Sequence, residues 1–166
     1  PESYEFGSLE NRAKFARDVA RVVREEVGDA VAVTAKIGMT EGSPKGFSMP
    51  ESLEFAQMLE ADGHLDALEL SAGSSLLNPM YLFRGDVPLK EFAANMPALV
   101  RWGLKTPMGK AFFKAYPFEE AFLREKALAF REGLSMPLIM LGGINDKATM
   151  DRAMSEGFDF VAMGRA

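Results

Sequence analysis

Two short apolar runs near the C-terminal end constrain the fold of this chain more than any other feature. The first is Leu138–Ile144, with the sequence LIMLGGI, and the second is Phe158–Arg165, with the sequence FDFVAMGR. Short and nearly continuous apolar runs are typical of parallel strands that are covered on both faces. We therefore predict two buried parallel strands, each followed closely by glycine.

The ends of both runs suit a phosphate group. Gly142 and Gly143 lack the Cβ atoms that would keep a ligand away from backbone N–H groups. Gly164 and Arg165 add a small residue and a guanidinium with several donors. In TIM barrels, the (β/α)₈ fold, a phosphate site often lies in the loops after the last two strands. The two runs therefore predict the phosphate site of such a barrel.

A helix is predicted between the two runs. Asn145 or Asp146 caps its first turn, and Gly157 ends it. The N-terminus of this helix, which carries a partial positive charge, would then face the same phosphate site.

The length of the chain limits how much of a barrel it contains. A complete barrel takes about 250 residues, whereas this chain has 166 and begins at Pro1 rather than methionine. We therefore expect a piece of a longer protein that holds roughly half of the eight strand–helix units.

Composition and charge exclude several classes of function. The absence of cysteine excludes disulfides, thiol catalysis and thiolate metal sites, and we predict no metal site. A net charge of −5 argues against nucleic acid as the main partner. Because no apolar run is long enough to cross a membrane and no signal peptide is present, we predict a cytoplasmic protein that binds a small molecule.

The first predicted helix extends from Leu9 to about Val27, between a capping Ser8 and a terminating Gly28. Its apolar residues recur at helical spacing and are predicted to form the buried face: Phe15, Val19, Val22 and Val23. Its charged residues are assigned to solvent: Arg17, Arg21, Arg24 and Glu25.

Two further segments, Val31–Ile37 and Leu65–Ser71, alternate as strands do, with a helix predicted at Glu51–Ala61 between them. In a barrel the larger residues contact the helices, which leaves Lys36 and Glu69 on the inward side, near the active-site end. If the strands are neighbours, a buried ion pair satisfies both charges. The alternative is that Glu69 reaches solvent through the barrel mouth.

A long connection, residues 74–135, separates the second of these strands from Leu138. It contains helical patches around Leu89–Trp102, Met108–Tyr116 and Phe118–Glu132, and its middle is basic. It is either a lid for a bulky or anionic substrate or a helical subdomain that forms an oligomer contact. The tripeptide Arg84-Gly85-Asp86 within it matches an adhesion motif, which we attribute to chance.

Five motifs resemble, in order and spacing, the C-terminal half of Old Yellow Enzyme-type NADH:flavin oxidoreductases. They are GSLENR at 7–12 with Phe15, VTAKI at 33–37, ELSAG at 69–73, LGGI at 141–144 and MGRA at 163–166. Any one motif is weak, but five in sequence with helices between them make a strong match. Two features depart from the family pattern, namely Phe6 in place of a glycine and the long insertion after the sixth strand.

The resemblance implies a fold, a cofactor and a reaction. The chain would span strands 5 to 8 of an FMN-binding TIM barrel, as one partial domain (1–166) with 74–135 as an inserted lid region. Lys36 would lie beside the flavin pyrimidine ring, and Gly142, Gly143, Gly164 and Arg165 would hold the FMN phosphate. The intact enzyme would pass hydride from NAD(P)H through FMN to an activated alkene or a similar acceptor.

The resemblance also implies what this chain lacks. The substrate-binding histidine pair and the proton-donating tyrosine of the family would lie upstream of Pro1, so we assign no catalytic residue, and we expect the isolated piece to be inactive. Two alternatives stay open: a phosphate-binding lyase or isomerase in which a free Lys36 forms a Schiff base, and a non-catalytic half-barrel that self-associates as a homo-oligomer through its strand edges.

Overall fold

The computed structural model shows an α/β fold in which strands and helices alternate, as predicted. It describes residues 7–42, 46–74, 81, 84–85, 94, 97, 101–103, 106–107 and 116–164. The helices are α1 (Leu9–Val27), α2 (Met49–Asp62), α3 (Arg124–Gly133) and α4 (Lys147–Ser155). The strands are β1 (Thr34–Gly38), β2 (Ala67–Ser71), β3 (Leu138–Met140) and β4 (Phe160–Val161).

The four strands form one parallel sheet in the sequential order β1-β2-β3-β4. The core lies on one face, where strand residues such as Leu68, Leu70 and Leu138 pack against Ala56 of α2 and Phe130 of α3. Sequential parallel strands with their helices on one face are typical of a barrel wall, whereas a doubly wound sheet reverses its order and carries helices on both faces. The sheet is therefore consistent with a fragment of a barrel.

The strands are shorter than predicted at their N-terminal ends. β1 begins at Thr34 rather than Val31, and β2 begins at Ala67 rather than Leu65. Before β1, a side chain takes part in the pairing: the carboxylate of Asp66 accepts from the N–H of Val33 at 2.6 Å, while the N–H of Asp66 donates to the carbonyl of Val33 at 2.8 Å. β3 covers only the first three residues of the run Leu138–Ile144, and β4 covers only Phe160–Val161 of the second run. Gly142 and Gly143 lie in the loop beyond β3.

Carboxylates hold the N-terminal end of the sheet. Glu60 of α2 accepts from the N–H groups of Ser135 and Met136 at 2.7 and 2.6 Å, just before β3. Asp159 accepts from the N–H of Leu138 at 3.0 Å. Each carboxylate satisfies backbone donors that no neighbouring strand reaches, so this end of the sheet is built for stability.

Helix α1 has the predicted bounds and the predicted cap, but its buried face was predicted wrongly. The exposed fractions of Phe15, Val19, Val22 and Val23 are 63%, 45%, 53% and 39%, whereas Ala13 and Ala20 are buried. The reason is electrostatic. Two arginines assigned to solvent form ion pairs instead, Arg17 with Asp62 at 2.6 Å and Arg24 with Asp66. These pairs turn the charged side of α1 toward the end of α2 and the segment before β2, and they leave the apolar residues outside.

The last part of the 74–135 connection belongs to the core. α3 lies within the third predicted helical patch, and Leu123, Ala127 and Phe130 are fully buried. α3 therefore crosses between β2 and β3 as a barrel helix does. Most of the first two patches lies outside the described residues, and the lid assignment stays a prediction there. No described helix is both long and apolar enough to cross a membrane.

Asp146 is the N-cap of helix α4, since its carboxylate accepts from the N–H of Thr149 at 2.8 Å. This confirms one of the two predicted caps. At its other end, Glu156 accepts from Arg124 of α3 at 2.7 Å and from Arg152 at 3.0 Å. The hydrogen bond from Arg124 is the main reason that the pKa of Glu156 lies below its usual value. This pair connects α3 and α4 across the back of the sheet.

We expect Glu156→Gln to destabilise the intact protein by about 1 kcal/mol at neutral pH, because the bond from Arg124 loses its charge. A carboxylate with a lowered native pKa stabilises the fold above its usual pKa, and this contribution disappears as the pH falls through the native value. The difference between the two proteins should therefore shrink below about pH 4. Thermal melting across this range measures it, with Glu132→Gln on an exposed position of α3 as the control.

Candidate functional site

The face of the sheet opposite the core carries the candidate site. The strand register places Lys36, Glu69, Ile139 and Phe160 side by side in one row. Residues in register on parallel strands point to the same face, and the next row is Ile37, Leu70, Met140 and Val161, on the core side. The first row is more open, since Phe160 is 56% exposed and Lys36 is also exposed. This is the face that a closed barrel would turn inward.

The predicted ion pair between Lys36 and Glu69 is present. The Nζ atom of Lys36 lies 2.9 Å from Oε1 of Glu69, and the two residues are directly paired in the register of β1 and β2. The pair is not buried as predicted, because the side chain of Lys36 is 55% exposed and that of Glu69 is 28% exposed. Lys36 therefore presents a cation on the open face of the sheet.

A cavity of about 870 Å³ adjoins Lys36 at the C-terminal end of β1. Its lining includes Arg12, Phe47 and Glu51, and Arg12 donates to Glu51 at 2.7 Å. Arg12, a residue of the GSLENR motif, therefore connects α1 to α2. The predicted phosphate residues Gly142, Gly143 and Gly164 do not line the cavity, so the structure does not bring them together with Lys36 in one pocket.

Gly142 and Gly143 adopt backbone conformations that other residues rarely adopt, with φ angles of 115° and 71°. A Cβ atom on Gly142 would lie 2.7 Å from Cγ of Leu123, and one on Gly143 would lie 2.7 Å from Cδ1 of Phe122. The N–H of Ala121 also donates to the carbonyl of Gly143 at 3.0 Å. The space that the glycines leave open is therefore filled by the segment before α3, which holds the loop in its shape.

Carboxylates already occupy backbone donors at the start of α4. Glu120 accepts from the N–H of Asn145 at 2.7 Å, and Asp146 accepts from the N–H of Thr149. Negative groups at these donors are the arrangement that a helix N-terminus favours. These two donors are therefore satisfied within the chain, and phosphate binding at the loop after β3 stays a prediction.

The other two residues predicted for the phosphate site, Gly164 and Arg165, follow β4 in the sequence. Gly164 follows β4 and is exposed, and a Cβ atom there would meet nothing within 4 Å. Arg165 lies outside the described residues, so its part in the phosphate site stays a prediction. Among the described residues, no group of three His, Asp or Glu side chains is arranged to hold a metal ion.

Sequence reasoning missed Arg84, because its tripeptide was attributed to chance. Its guanidinium lies over the rings of Tyr81, Tyr116 and Phe122, with distances from Cζ to the ring centres of 5.4, 5.0 and 4.3 Å. An antiparallel bridge between Gly85 and Tyr116 holds the backbone beside it. The signal in the sequence was an arginine flanked by aromatic residues in a loop at the active-site end of the barrel.

Three characterised relatives cover 96% of this chain. It is 56% identical to the 4,4'-dithiodibutanoate disulfide reductase of Rhodococcus erythropolis, 27% to the multifunctional alkene reductase/demethylase OYE of Caballeronia cordobensis, and 24% to the NADH oxidase of Thermoanaerobacter brockii. These relatives fit the Old Yellow Enzyme-type NADH:flavin oxidoreductase family, which this chain matches in part. The predicted resemblance is confirmed. The chain spans 40%, 19% and 20% of the lengths of these relatives. No protein-family model matches the chain.

Solved structures support the fold of this chain. It superimposes on the histamine dehydrogenase of Rhizobium sp. 4-9 with a TM-score of 0.67 at 25% identity, covering 99% of the chain and 19% of the dehydrogenase. It superimposes on 2-naphthoyl-CoA reductase, in a complex with 2-naphthoyl-CoA, with a TM-score of 0.63 at 20% identity, covering 97% of the chain and 20% of the reductase. The fold prediction is thereby confirmed at the level of a partial α/β unit within a larger oxidoreductase.

Proposed function

We propose that this chain is the FMN-binding half, strands 5 to 8, of a TIM-barrel oxidoreductase that transfers electrons from NAD(P)H to a small organic acceptor. The single observation that carries the proposal is the 56% identity to a disulfide reductase over 96% of the chain. The sheet supports it, because its open face carries the Lys36 cation and glycines follow β3 and β4 at the end of the sheet where barrel enzymes bind their ligands.

The residue types that the sequence assigns to the site suit FMN. Lys36 would lie beside the flavin ring, where a cation favours the anionic reduced form. Gly142 and Gly143, with Gly164 and Arg165, would hold the phosphate, since backbone N–H groups and a guanidinium are the donors that phosphate prefers. When bound, FMN would supply reversible two-electron chemistry between NAD(P)H and the acceptor. The residues of this chain would then bind and orient the cofactor.

The relatives offer two classes of acceptor, activated alkenes and organic disulfides. We propose a disulfide, because the relative named for disulfide reduction is 56% identical and the alkene reductase is 27% identical. In that reaction the S–S bond breaks, NAD(P)H is oxidised to NAD(P)⁺, and the hydride equivalent with one proton converts the disulfide into two thiols. An activated alkene is the second candidate.

The ion pair of Lys36 bears on the alternatives. A Schiff-base lyase needs a free amine on Lys36, and the structure pairs this amine with Glu69 at 2.9 Å. The flavoenzyme proposal needs only the positive charge, which the pair retains. The observed geometry therefore favours the flavoenzyme over the lyase.

The intact protein tests the proposal directly. We expect it to be yellow after purification, to release FMN on denaturation, and to oxidise NADH or NADPH faster when 4,4'-dithiodibutanoate is present. A colourless protein that takes up no added FMN would contradict the cofactor. A yellow protein that reduces an activated alkene but no disulfide would leave the cofactor standing and replace the acceptor class.

We expect Lys36→Met to retain FMN but to lower its reduction potential, because the reduced flavin loses a nearby positive charge. Glu69→Gln should act in the opposite direction, since it removes the negative charge 2.9 Å from Lys36. A spectrophotometric redox titration of the holoenzyme measures both. Equal potentials in all three proteins would show that the Lys36–Glu69 pair has a structural role alone.

A further inference from the structure

We infer that Arg84 binds an oxyanion of a ligand at the cluster that it forms with Tyr81, Tyr116 and Phe122, beside the glycine loop after β3. This inference rests on the proposed function and names a further binding residue for it. The oxyanion has two sources in that reaction, the phosphate of FMN and a carboxylate of the acceptor, and the experiment below distinguishes them.

The first observation is the charge balance around Arg84. Its guanidinium lies over three aromatic rings at 4.3 to 5.4 Å, and no described carboxylate pairs with it. Its Nε atom is buried and has no hydrogen-bond partner within the described part of the chain. Other arginines of the chain, such as Arg17, Arg24 and Arg124, each pair with a carboxylate. Among the described residues, Arg84 is thus a cation held in place without an anion.

The energetics of a guanidinium that is withdrawn from water indicate which class of partner Arg84 binds. Withdrawing a guanidinium from water is unfavourable, and aromatic faces compensate only part of the loss. Stacked rings leave the edge of the planar guanidinium, with its N–H donors, available to an acceptor in the plane. Carboxylate and phosphate oxygens match that fork, whereas neutral acceptors match it weakly. An anionic ligand is therefore the partner that completes this cluster.

The second observation is the position of the cluster. Phe122, which lies 4.3 Å from the Arg84 guanidinium, is also the residue that fills the space beside Gly143. The same segment donates from Ala121 to the carbonyl of Gly143. Arg84 is therefore one aromatic ring away from the loop at the carboxyl end of the sheet, where barrel enzymes bind their ligands.

The two sources of the oxyanion make different demands. An FMN phosphate would be bound whenever the cofactor is present, so Arg84 would determine cofactor affinity. An acceptor carboxylate would be bound during turnover, so Arg84 would determine which acceptors are used. A disulfide such as 4,4'-dithiodibutanoate carries a carboxylate at each end, which suits the second source.

The test compares Arg84→Met with Arg84→Lys in the intact holoenzyme. Methionine fills the aromatic cage without a charge and makes favourable contacts with the rings, and lysine keeps the charge without the planar fork. Arg101→Met is the matched control, because Arg101 is an exposed arginine of the same connection. The measurements are the dissociation constant of FMN, and kcat and KM for 4,4'-dithiodibutanoate and for its uncharged dimethyl ester.

We expect Arg84→Met to weaken one of these interactions at least about tenfold, as the loss of a charge-assisted hydrogen bond predicts. Weaker FMN binding assigns Arg84 to the phosphate. A higher KM for the diacid, with no change for the diester or for FMN, assigns it to the acceptor. Arg84→Lys should restore part of the affinity in either case.

Two results separate failure of this inference from failure of the proposed function. If the unmodified protein binds FMN and reduces the disulfide, and Arg84→Met equals Arg101→Met in every measurement, then Arg84 binds no oxyanion. If the unmodified protein binds no FMN, the proposed function fails. An Arg84→Met protein that is folded by circular dichroism and melts as the control does excludes misfolding as the cause of a loss.

Discussion

Replacing Gly143 with alanine is expected to destabilise the intact protein by about 2 to 4 kcal/mol, the combined cost of an unfavourable backbone conformation and of overpacking. The φ angle of Gly143 is 71°, and a Cβ atom would lie 2.7 Å from Phe122 and 2.9 Å from the carbonyl oxygen of Glu119. Since the second contact is with backbone, a side-chain rotation cannot relieve it. Denaturant unfolding measures the loss, and FMN retention after dialysis should decrease with it.

Two further glycines separate the causes of that effect. Gly157 also has a positive φ of 93°, but its Cβ atom would meet Arg131 at an ordinary 3.5 Å, so Gly157→Ala reports backbone strain alone. Gly164→Ala meets neither obstacle and should be nearly neutral. If Gly157→Ala lowers the free energy of unfolding as much as Gly143→Ala does, then the contact with Phe122 contributes nothing to stability, which contradicts the role assigned to it.

Residues 1–166 expressed alone are expected to self-associate or to remain partly molten, and to oxidise no NAD(P)H. Within the described sheet, β1 and β4 each pair on one side only, and open strand edges favour pairing between molecules. The inner-face residue Phe160 and the α1 residues Val19 and Val22 are about half exposed. Burying apolar surface of this kind is favourable by about 25 cal/mol per Å². Self-association that buries it can therefore gain as much free energy as the few kcal/mol of net stability of a domain.

Size-exclusion chromatography with light scattering measures this association. Val22→Glu should reduce it, because a charge replaces an apolar contact on the exposed face of α1. Ala148→Glu adds the same charge at an exposed position of α4 and serves as the control. A compact monomer that binds FMN and oxidises NADPH would overturn both the half-barrel proposal and the expectation that essential groups lie elsewhere in the protein.

The sequence by itself determined the order and type of the elements. Local signals decide these, and they were clear here: Ser8 and Gly28 at the ends of α1, Asp146 at the start of α4, and the alternation that places Lys36 and Glu69 on one face. The family followed as well, because its motifs are short and local. Strand ends were predicted less well, since side-chain carboxylates rather than local propensity end the ladder there.

Only the tertiary structure decided which surfaces meet. The apolar spacing of Phe15, Val19 and Val22 predicts a buried face, but the ion pairs of Arg17 and Arg24 orient α1 the other way, and these pairs connect residues about 40 positions apart in sequence. The contact of Phe122 with Gly143 and the aromatic cage of Arg84 also join distant segments. Periodicity reports which residues share a face, whereas the partner of that face depends on the whole chain that folds around it.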